Sequence, residues 1–460
     1  MRALMIAGDR SGSGKTSITL AIAALLSKEM TVQTFKVGMD YIDPSYLTAV
    51  TGRPCRNLDS FVMDRDEIRQ IFLHGSTGAD ISLVEGVRGL YEGAEALDDT
   101  GSSAAIAKEL DLPVVLVVSA RSITRSAAAI VKGFQSFDPD VTIVGVILNN
   151  VSGKKHIDKA VTSIEHYCGI PVIGAVPRQP EMELAMRHLG LVPYREGEAH
   201  AGFRNRIDYV TGMIRDHVSI GDLLTLARRC EPAMTATPIF HEPPEPDVTI
   251  GVALDEAFNF YYADLFDILH GLGARTECFS PVHDRLPDAD GYIIGGGYPE
   301  LFLPELERND RMREAVLETS RNGTPIYAEC GGLMYLTDRI ILSPGWQGEE
   351  SGRSGEMAGV FTGETIMPAR RVVSYVEGRT VGKNPLGPGT FRGHEFHYSD
   401  VRLDPSTRFA FFLDRGVGIT GSSDGALAGN TIGSYTHLHP VSSRILIAHL
   451  VGTCRSIRIN

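Results

Sequence analysis

The stretch RALMIAGDRSGSGKTSITLAIAALLSK, residues 2–28, decides how the first half of this chain is read. RALMIA (2–7) has the apolar character of a buried strand. GDRSGSGKTS (8–17) is a glycine-rich turn, and SITLAIAALLSK (17–28) has helical character. A strand, a glycine-rich turn and a helix start, in that order, aim backbone N–H groups and the positive end of a helix dipole at one point. That is a phosphate site. Ser11, Gly12, Gly14 and Ser17 are its expected cradle, Lys15 is expected to reach the β- and γ-phosphates, and the Thr16 hydroxyl to coordinate Mg2+. The spacing departs from the usual loop. Counting back from Gly14, Asp9 holds the first-glycine position and Gly8 lies one residue further out. The competing reading is a plain βα turn with a capping serine; the strand–loop–helix context favours phosphate.

Working outward, VQTFKV (32–37), ISLVEG (81–86), PVVLVVS (113–119) and VTIVGVILN (141–149) read as further buried strands separated by helix-like segments. Near-continuous apolar strands alternating with helices predict a parallel sheet covered on both faces. Ligands of such sheets gather at the carboxyl ends of the strands. Two acidic segments fall there: KVGMDYIDPSY (36–46), with Asp40 and Asp43, and LVEGVRGLYEG (83–93), with Glu85. Thr16, Asp43 and Glu85 are the expected metal contacts. Each acid taken alone is more often a helix cap or a solvated loop charge. Asp40, Tyr41 and Tyr91 are candidate substrate contacts, Tyr91 because Gly86, Gly89 and Gly93 surround it. GSSAAIAK (101–108) is a second glycine–serine helix start. Asn149 and Asn150 end the fifth strand and suit either an adenine contact or a turn.

EPAMTATPIFHEPPEPD (231–247) carries five prolines and no period, so it reads as a semi-rigid linker. The expected layout is 1–230 for a nucleotide-binding domain, 231–247 for the linker and 248–460 for a second domain. That domain restarts the α/β pattern with strands TIGVAL (249–254), GYIIGGG (291–297) and PIYAE (325–329) and a helix over 259–273. Past residue 355 shorter strands and turns are expected.

PIYAECGGLMYL (325–336) sets Cys330 between a strand and a helix start, followed by two glycines. A tight turn there exposes the thiol, and the helix end favours its thiolate. Such a nucleophile needs a base and an oxyanion hole. GSYTHLH (433–439) offers His437 and His439; YIIGGGYPE (292–300) offers the Gly296 and Gly297 N–H groups. FRGHEFHYS (391–399) groups Arg392, His394, Glu395 and His397, which suits a pocket wall or a domain interface.

Composition bounds the rest. The 460 residues carry a net charge of −13, against a nucleic-acid or anionic-membrane surface. Six cysteines with no C-x-x-C pair give no support to a zinc site or disulfide framework and suggest a reducing, cytoplasmic setting. No apolar run approaches the ~20 residues of a membrane span, and the N-terminus lacks the form of a signal peptide.

A phosphate loop together with a cysteine elbow suggests ATP-driven amide formation with glutamine as nitrogen donor. In order, the deviant loop, KVGMDYIDP, EGVRGLYEG, GGGYPE, AECGGLMYL, RGHEFHYS and SYTHLH resemble the cobyrinic acid a,c-diamide synthases over nearly the whole chain. That resemblance implies a dethiobiotin-synthetase-like ATPase domain joined to a class I amidotransferase-type glutaminase domain. It implies ATP and Mg2+ at the first, L-glutamine at the second, a tetrapyrrole polycarboxylate as substrate, and an internal ammonia route; it allows a homodimer. Cys330 matches the glutaminase nucleophile and His437 its base. Related amidotransferases have an acid two places after that histidine, where this chain has His439, so Cys330 and His437 are read as a dyad. Two substrates remain open, Ni-sirohydrochlorin and cobyrinic acid. Met39, Tyr46, Leu47, Arg88 and Glu92 depart from the cobyrinate pattern and resemble the nickel branch. A ParA-like ATPase switch with a degenerate glutaminase half is the reading from a different class.

Overall fold

The computed structural model describes residues 2–179, 186–187, 190–191, 203–232, 237–346 and 351–458. The chain divides into two units, Met1–Pro238 and Ile239–Asn460. Residues 233–236 of the proline-rich segment lie outside the described residues.

In the first unit β1 (Arg2–Gly8) leads through the glycine-rich turn into α1 (Lys15–Leu26). Then follow β2 (Val32–Val37), α2 (Ile42–Thr51), β3 (Arg56–Leu58), α3 (Arg65–Ser76), β4 (Ile81–Gly89), α4 (Ser103–Glu109), β5 (Val114–Ser119), α5 (Arg125–Phe137), β6 (Ile143–Val151), α6 (Gly153–Cys168) and β7 (Val172–Pro177). The strands lie in the order β3-β2-β4-β1-β5-β6-β7, all parallel along this path. Ala3 to Ala7 of β1 and Val114 to Val118 of β5 are fully buried, as a sheet sandwiched between helices requires. Arg228–Arg229 adds a short antiparallel partner to Arg2–Ala3. From β1 the chain crosses over β4 to β2, and later returns to β5 on the other side. This reversal opens a crevice at the carboxyl end of β1, where the phosphate loop stands. The sixth strand ends at Val151 rather than 149, and Asn150 turns there at φ 60°.

The second unit has a ten-stranded sheet. Ala274–Phe279, Val248–Ala253, Gly291–Ile294, Ile326–Glu329 and Thr431–Ser434 run parallel; Ser423–Ala428, Arg408–Arg415, Val372–Thr380, Thr390–His397 and His437–Leu438 continue it antiparallel. A core of buried apolar residues, Phe258, Leu306, Met312, Leu333, Tyr335 and Ile340 among them, packs one face. Two expectations change here. The helix expected over 259–273 spans only Asp264–Gly271, because Phe258–Phe260 is drawn out as a strand against Gly296–Gly297. Past residue 355 short strands such as Asp400–Leu403 and Thr431–Ser434 do occur, but Val372–Thr380, Thr390–His397 and Arg408–Arg415 are long antiparallel members, whose half-exposed faces hid their apolar pattern. Among the described residues no helix is long and apolar enough to cross a membrane.

Candidate active site

Two sites take shape, one in each unit. In the first, Gly12 and Gly14 adopt φ of 76° and 91°, which lets the loop curl ahead of α1. Gly14 caps the helix, and its carbonyl accepts the Ile18 N–H at 3.1 Å. A Cβ on Gly14 would stand 2.1 Å from Asn149 Nδ2. That amide donates to the Ser13 carbonyl at 2.8 Å, so Asn149 braces the loop from β6. Ser11 and Gly12 are exposed at the loop crest, with Lys15, Thr16 and Ser17 partly exposed in the first helical turn.

The loop meets both acidic segments, with Asp43 in the first turn of α2 and Glu85 inside β4, which continues to Gly89 rather than ending at 86. Thr16 Oγ1 donates to Glu85 Oε1 at 2.7 Å and lies 3.2 Å from Asp43 Oδ2. Between the carboxylates sits a residue the sequence reading did not single out, Lys36, at the end of β2. Its Nζ is 2.5 Å from Asp43, 2.7 Å from Glu85 and 3.9 Å from Asp40, with 3% of the side chain exposed. The sequence signal was present: a lysine closing an otherwise buried strand. Burial alone would lower the Lys36 pKa, but the three acids outweigh it and hold the ammonium well above its ordinary range. Burial also raises Asp43, yet Lys36 overcomes that and keeps it ionised. Asp40 is raised to about 7, by burial and then by the charge of Asp43. Lys15 is lowered by burial and by Lys36.

The cluster suits a magnesium ion that arrives with a nucleotide. Glu85 Oε2 is a buried oxygen with no hydrogen-bond partner, and Thr16, Asp43 and Glu85 present hard oxygen donors around it. Among the described residues no three His, Cys, Asp or Glu side chains are grouped to hold a metal by themselves. Mg2+ needs no such cage, because it commonly takes one or two carboxylates and fills the remainder with phosphates and water.

Other expected contacts are placed differently. Asp40 Oδ1 accepts the Ile42 N–H at 2.8 Å and so starts α2, while Tyr41 is the residue preceding that helix. Tyr91 has its hydroxyl committed to the Phe134 carbonyl at 2.7 Å and its ring against Phe134 and Phe137, so its polar end faces α5. The Ser102 hydroxyl caps its own helix on the Ala105 N–H, and Ser103 ties down Val87. Tyr46 and Leu47 are buried, whereas Arg88 is exposed at φ 46° beside Gly89.

In the second unit Cys330 stands between the strand Ile326–Glu329 and the helix Gly331–Leu336, at φ 46° and ψ −96°. This is a sharp elbow in a region that L-residues rarely occupy. It closes tightly because its neighbours are glycines: a Cβ on Gly332 would lie 2.2 Å from the Ile294 carbonyl oxygen, and one on Gly331 3.0 Å from the Gly297 nitrogen. A Cβ on Gly296 would stand 2.7 Å from His437 Cε1. Gly296 and Gly297 are thus gathered beside the elbow and the histidine.

His437 is buried beside Cys330, close enough for the thiol to help raise its pKa. Its Nδ1 lies 3.3 Å from Glu329 Oε2. Burial pulls the imidazole down, but Cys330 and Glu329 prevail and raise it to about 10. Cross-strand pairing sets His394 opposite His437, with the rings stacked at 4.9 Å. Burial and the neighbouring histidines hold His394 well below its usual pKa, so it is neutral. His397 stacks on Tyr435 at 3.6 Å and burial lowers it to about 4. Glu395 receives the Val417 and Gly418 N–H groups, and Arg392 makes a surface pair with Glu377. Of FRGHEFHYS, then, His394 reaches the imidazole and the Phe396 carbonyl reaches the thiol, accepting from Cys330 Sγ at 3.9 Å. All six cysteines are free thiols.

Comparison with known proteins agrees with this division. Residues 4–192 match the family described as the CobQ/CobB/MinD/ParA nucleotide binding domain, and residues 249–444 the CobB/CobQ-like glutamine amidotransferase domain. The cobyrinate a,c-diamide synthase of Methanosarcina acetivorans is 48% identical over 99% of this chain and 96% of that protein. Its counterpart in Methanosarcina barkeri is 47% identical over the same shares. That of Methanothermobacter thermautotrophicus is 42% identical over 95% of this chain and 96% of that protein.

Proposed function

Because the chain belongs to the cobyrinate a,c-diamide synthase family, we propose that it converts the a and c acetate side chains of a tetrapyrrole to carboxamides, using ATP and L-glutamine. The observation that carries this reading is the presence of both sites in one chain, the Thr16–Asp43–Glu85 cluster under a phosphate loop and the Cys330–His437 pair on an elbow.

At the second site the Cys330 thiolate attacks the carboxamide carbon of glutamine. His437 carries the thiol proton to the departing nitrogen, which leaves as ammonia, and the Gly296–Gly297 backbone faces the developing oxyanion. Water then cleaves the thioester to glutamate. At the first site the γ-phosphoryl group passes to a substrate carboxylate, giving an acyl-phosphate and ADP. Ammonia attacks that acyl carbon, loses a proton, and phosphate departs. Lys15 and the loop N–H groups bind and orient the transferring phosphoryl group, with Lys36 beside them. Thr16, Asp43 and Glu85 would hold Mg2+, which when bound neutralises phosphate charge. A site built on a free thiol works in a reducing compartment, which fits the cytoplasm.

Within this class we take Ni-sirohydrochlorin as the substrate, on the departures at Met39, Tyr46, Leu47, Arg88 and Glu92. Cobyrinic acid is the second reading, favoured by the names of the relatives. The test presents each macrocycle side by side with ATP and glutamine and follows product mass. Two amide conversions on the nickel macrocycle at the higher kcat/KM support the first reading; preference for cobyrinic acid replaces it with the second. Cys330→Ala separates the two sites, and is expected to abolish glutamine-driven product while sparing that made with free ammonia. Loss with both nitrogen sources would overturn the two-site assignment.

A further inference from the structure

We propose that Glu329 is the carboxylate that orients His437, a positioning role that the residue two places after the histidine does not fill. The inference rests on the glutaminase reading above and deepens it.

A general-base imidazole needs an acceptor at one nitrogen, so that the other is left unprotonated toward the nucleophile. A carboxylate can only accept, so the 3.3 Å contact means that His437 Nδ1–H donates to Glu329 Oε2. This fixes the tautomer and leaves Nε2 for the thiol proton. The carboxylate is itself fixed: Oε1 accepts the Tyr327 hydroxyl at 2.7 Å and the Leu438 N–H at 3.0 Å. Leu438 follows His437, so one side chain holds both the ring and the main chain just beyond it. Tyr327 remains a donor, because burial and then Glu329 push its pKa well above the ordinary value.

His439 is engaged elsewhere. Its Nδ1 accepts the Val441 N–H at 3.3 Å, its Nε2 lies 3.6 Å from Asp264 Oδ2, and its ring packs on Tyr262 at 4.7 Å. Glu329 also has a geometric advantage, since it ends the strand from which Cys330 springs. A single strand end therefore sets the nucleophile and the partner of its base.

The test measures glutamine hydrolysis against pH in the full-length wild type, Glu329→Gln and Glu329→Asp, with ammonia-driven amidation as a parallel assay. In Glu329→Gln the amide oxygen can still receive Tyr327 and Leu438, but its NH2 faces Nδ1 and favours the opposite tautomer. Glutaminase kcat/KM is expected to fall on the order of 10²–10⁴-fold, mostly in kcat, with the imidazole-dependent limb of the profile moved to lower pH. Glu329→Asp should recover part of the rate, and ammonia-driven amidation should be unchanged. If Glu329→Gln does not fold, Glu329→Asp carries the test, with a smaller loss and the same direction of shift. A wild-type rate and profile in either folded variant would overturn the inference. Absence of glutaminase activity in the wild type would instead overturn the reading on which it rests.

Discussion

Lys36 Nζ lies 2.7 Å from Glu85 Oε1, and both side chains are almost wholly withdrawn from water. The same Glu85 oxygen receives the Thr16 hydroxyl. An ammonium therefore holds the oxygens expected to serve a divalent cation, and the two cations compete for them unless Lys36 moves toward a bound phosphate.

Lys36→Met should expose that competition. Removing one partner of a buried ion pair costs about 3–5 kcal/mol, chiefly through the charge left behind. Here three acids remain, Asp43 and Glu85 closest to the vacated place. Without magnesium the variant should melt well below wild type. Added Mg2+ should raise its Tm more than it raises that of wild type, read by calorimetry, while glutamine hydrolysis continues. Equal stabilisation of both proteins by Mg2+ would mean that Lys36 does not occupy the metal's oxygens.

Gly296→Ala should silence the second site alone. The new methyl would sit 2.7 Å from His437 Cε1 and 3.2 Å from Phe260, so the imidazole must shift. A misplacement of about 1 Å can cost about 100-fold in rate. Glutamine hydrolysis is expected to fall by about that factor, with amidation from free ammonia intact. Hydrolysis at the wild-type rate would show that the ring does not need this place.

Asp40→Asn tests the acidic cluster through pH. The Asp40 carboxyl titrates near 7 when folded against an ordinary 3.8, raised by burial and by Asp43. A carboxyl whose folded pKa is raised favours folding at low pH, and that contribution is lost as the pH rises through 7. Asparagine keeps the acceptor for the Ile42 N–H and carries no charge. The variant should be more stable than wild type at pH 8, and the gap should close toward pH 4. About a third of the Asp40 side chain reaches solvent, which keeps the effect modest. Melting temperatures of the nucleotide-free proteins decide it; a gap that is constant with pH contradicts the assignment.

The α/β class was legible because β1 and β5 are buried on both faces and read as nearly unbroken apolar runs, with β2 and β4 as shorter apolar stretches between helices. Thr16 and Asp43 stand where a helix begins, as the strand–helix alternation predicts, whereas Glu85 lies inside β4, which runs on to Gly89. Lys36 was overlooked because a single lysine at a strand end has no period. Only the folded sheet shows three acids around it. Glu329 was hidden for a different reason. Within its strand it looks like any residue before the elbow, and its partner stands 108 residues away. Tyr91 is a different case: the glycines around it point to a ligand-hugging loop, and in the fold its hydroxyl donates to the Phe134 carbonyl. The antiparallel strands beyond residue 355 were understated because one-sided burial breaks the apolar run.

The pairing of Ile326–Glu329 with Thr431–Ser434 has a consequence for the order of synthesis. The ribosome makes the nucleophile's strand about a hundred residues before its neighbour, a delay of roughly 5–20 s at ordinary elongation rates. Throughout that interval Cys330 lacks His437, the base that takes its proton. A nascent chain, or one truncated before Tyr435, carries the thiol without the base, and so releases no ammonia before His437 has been translated.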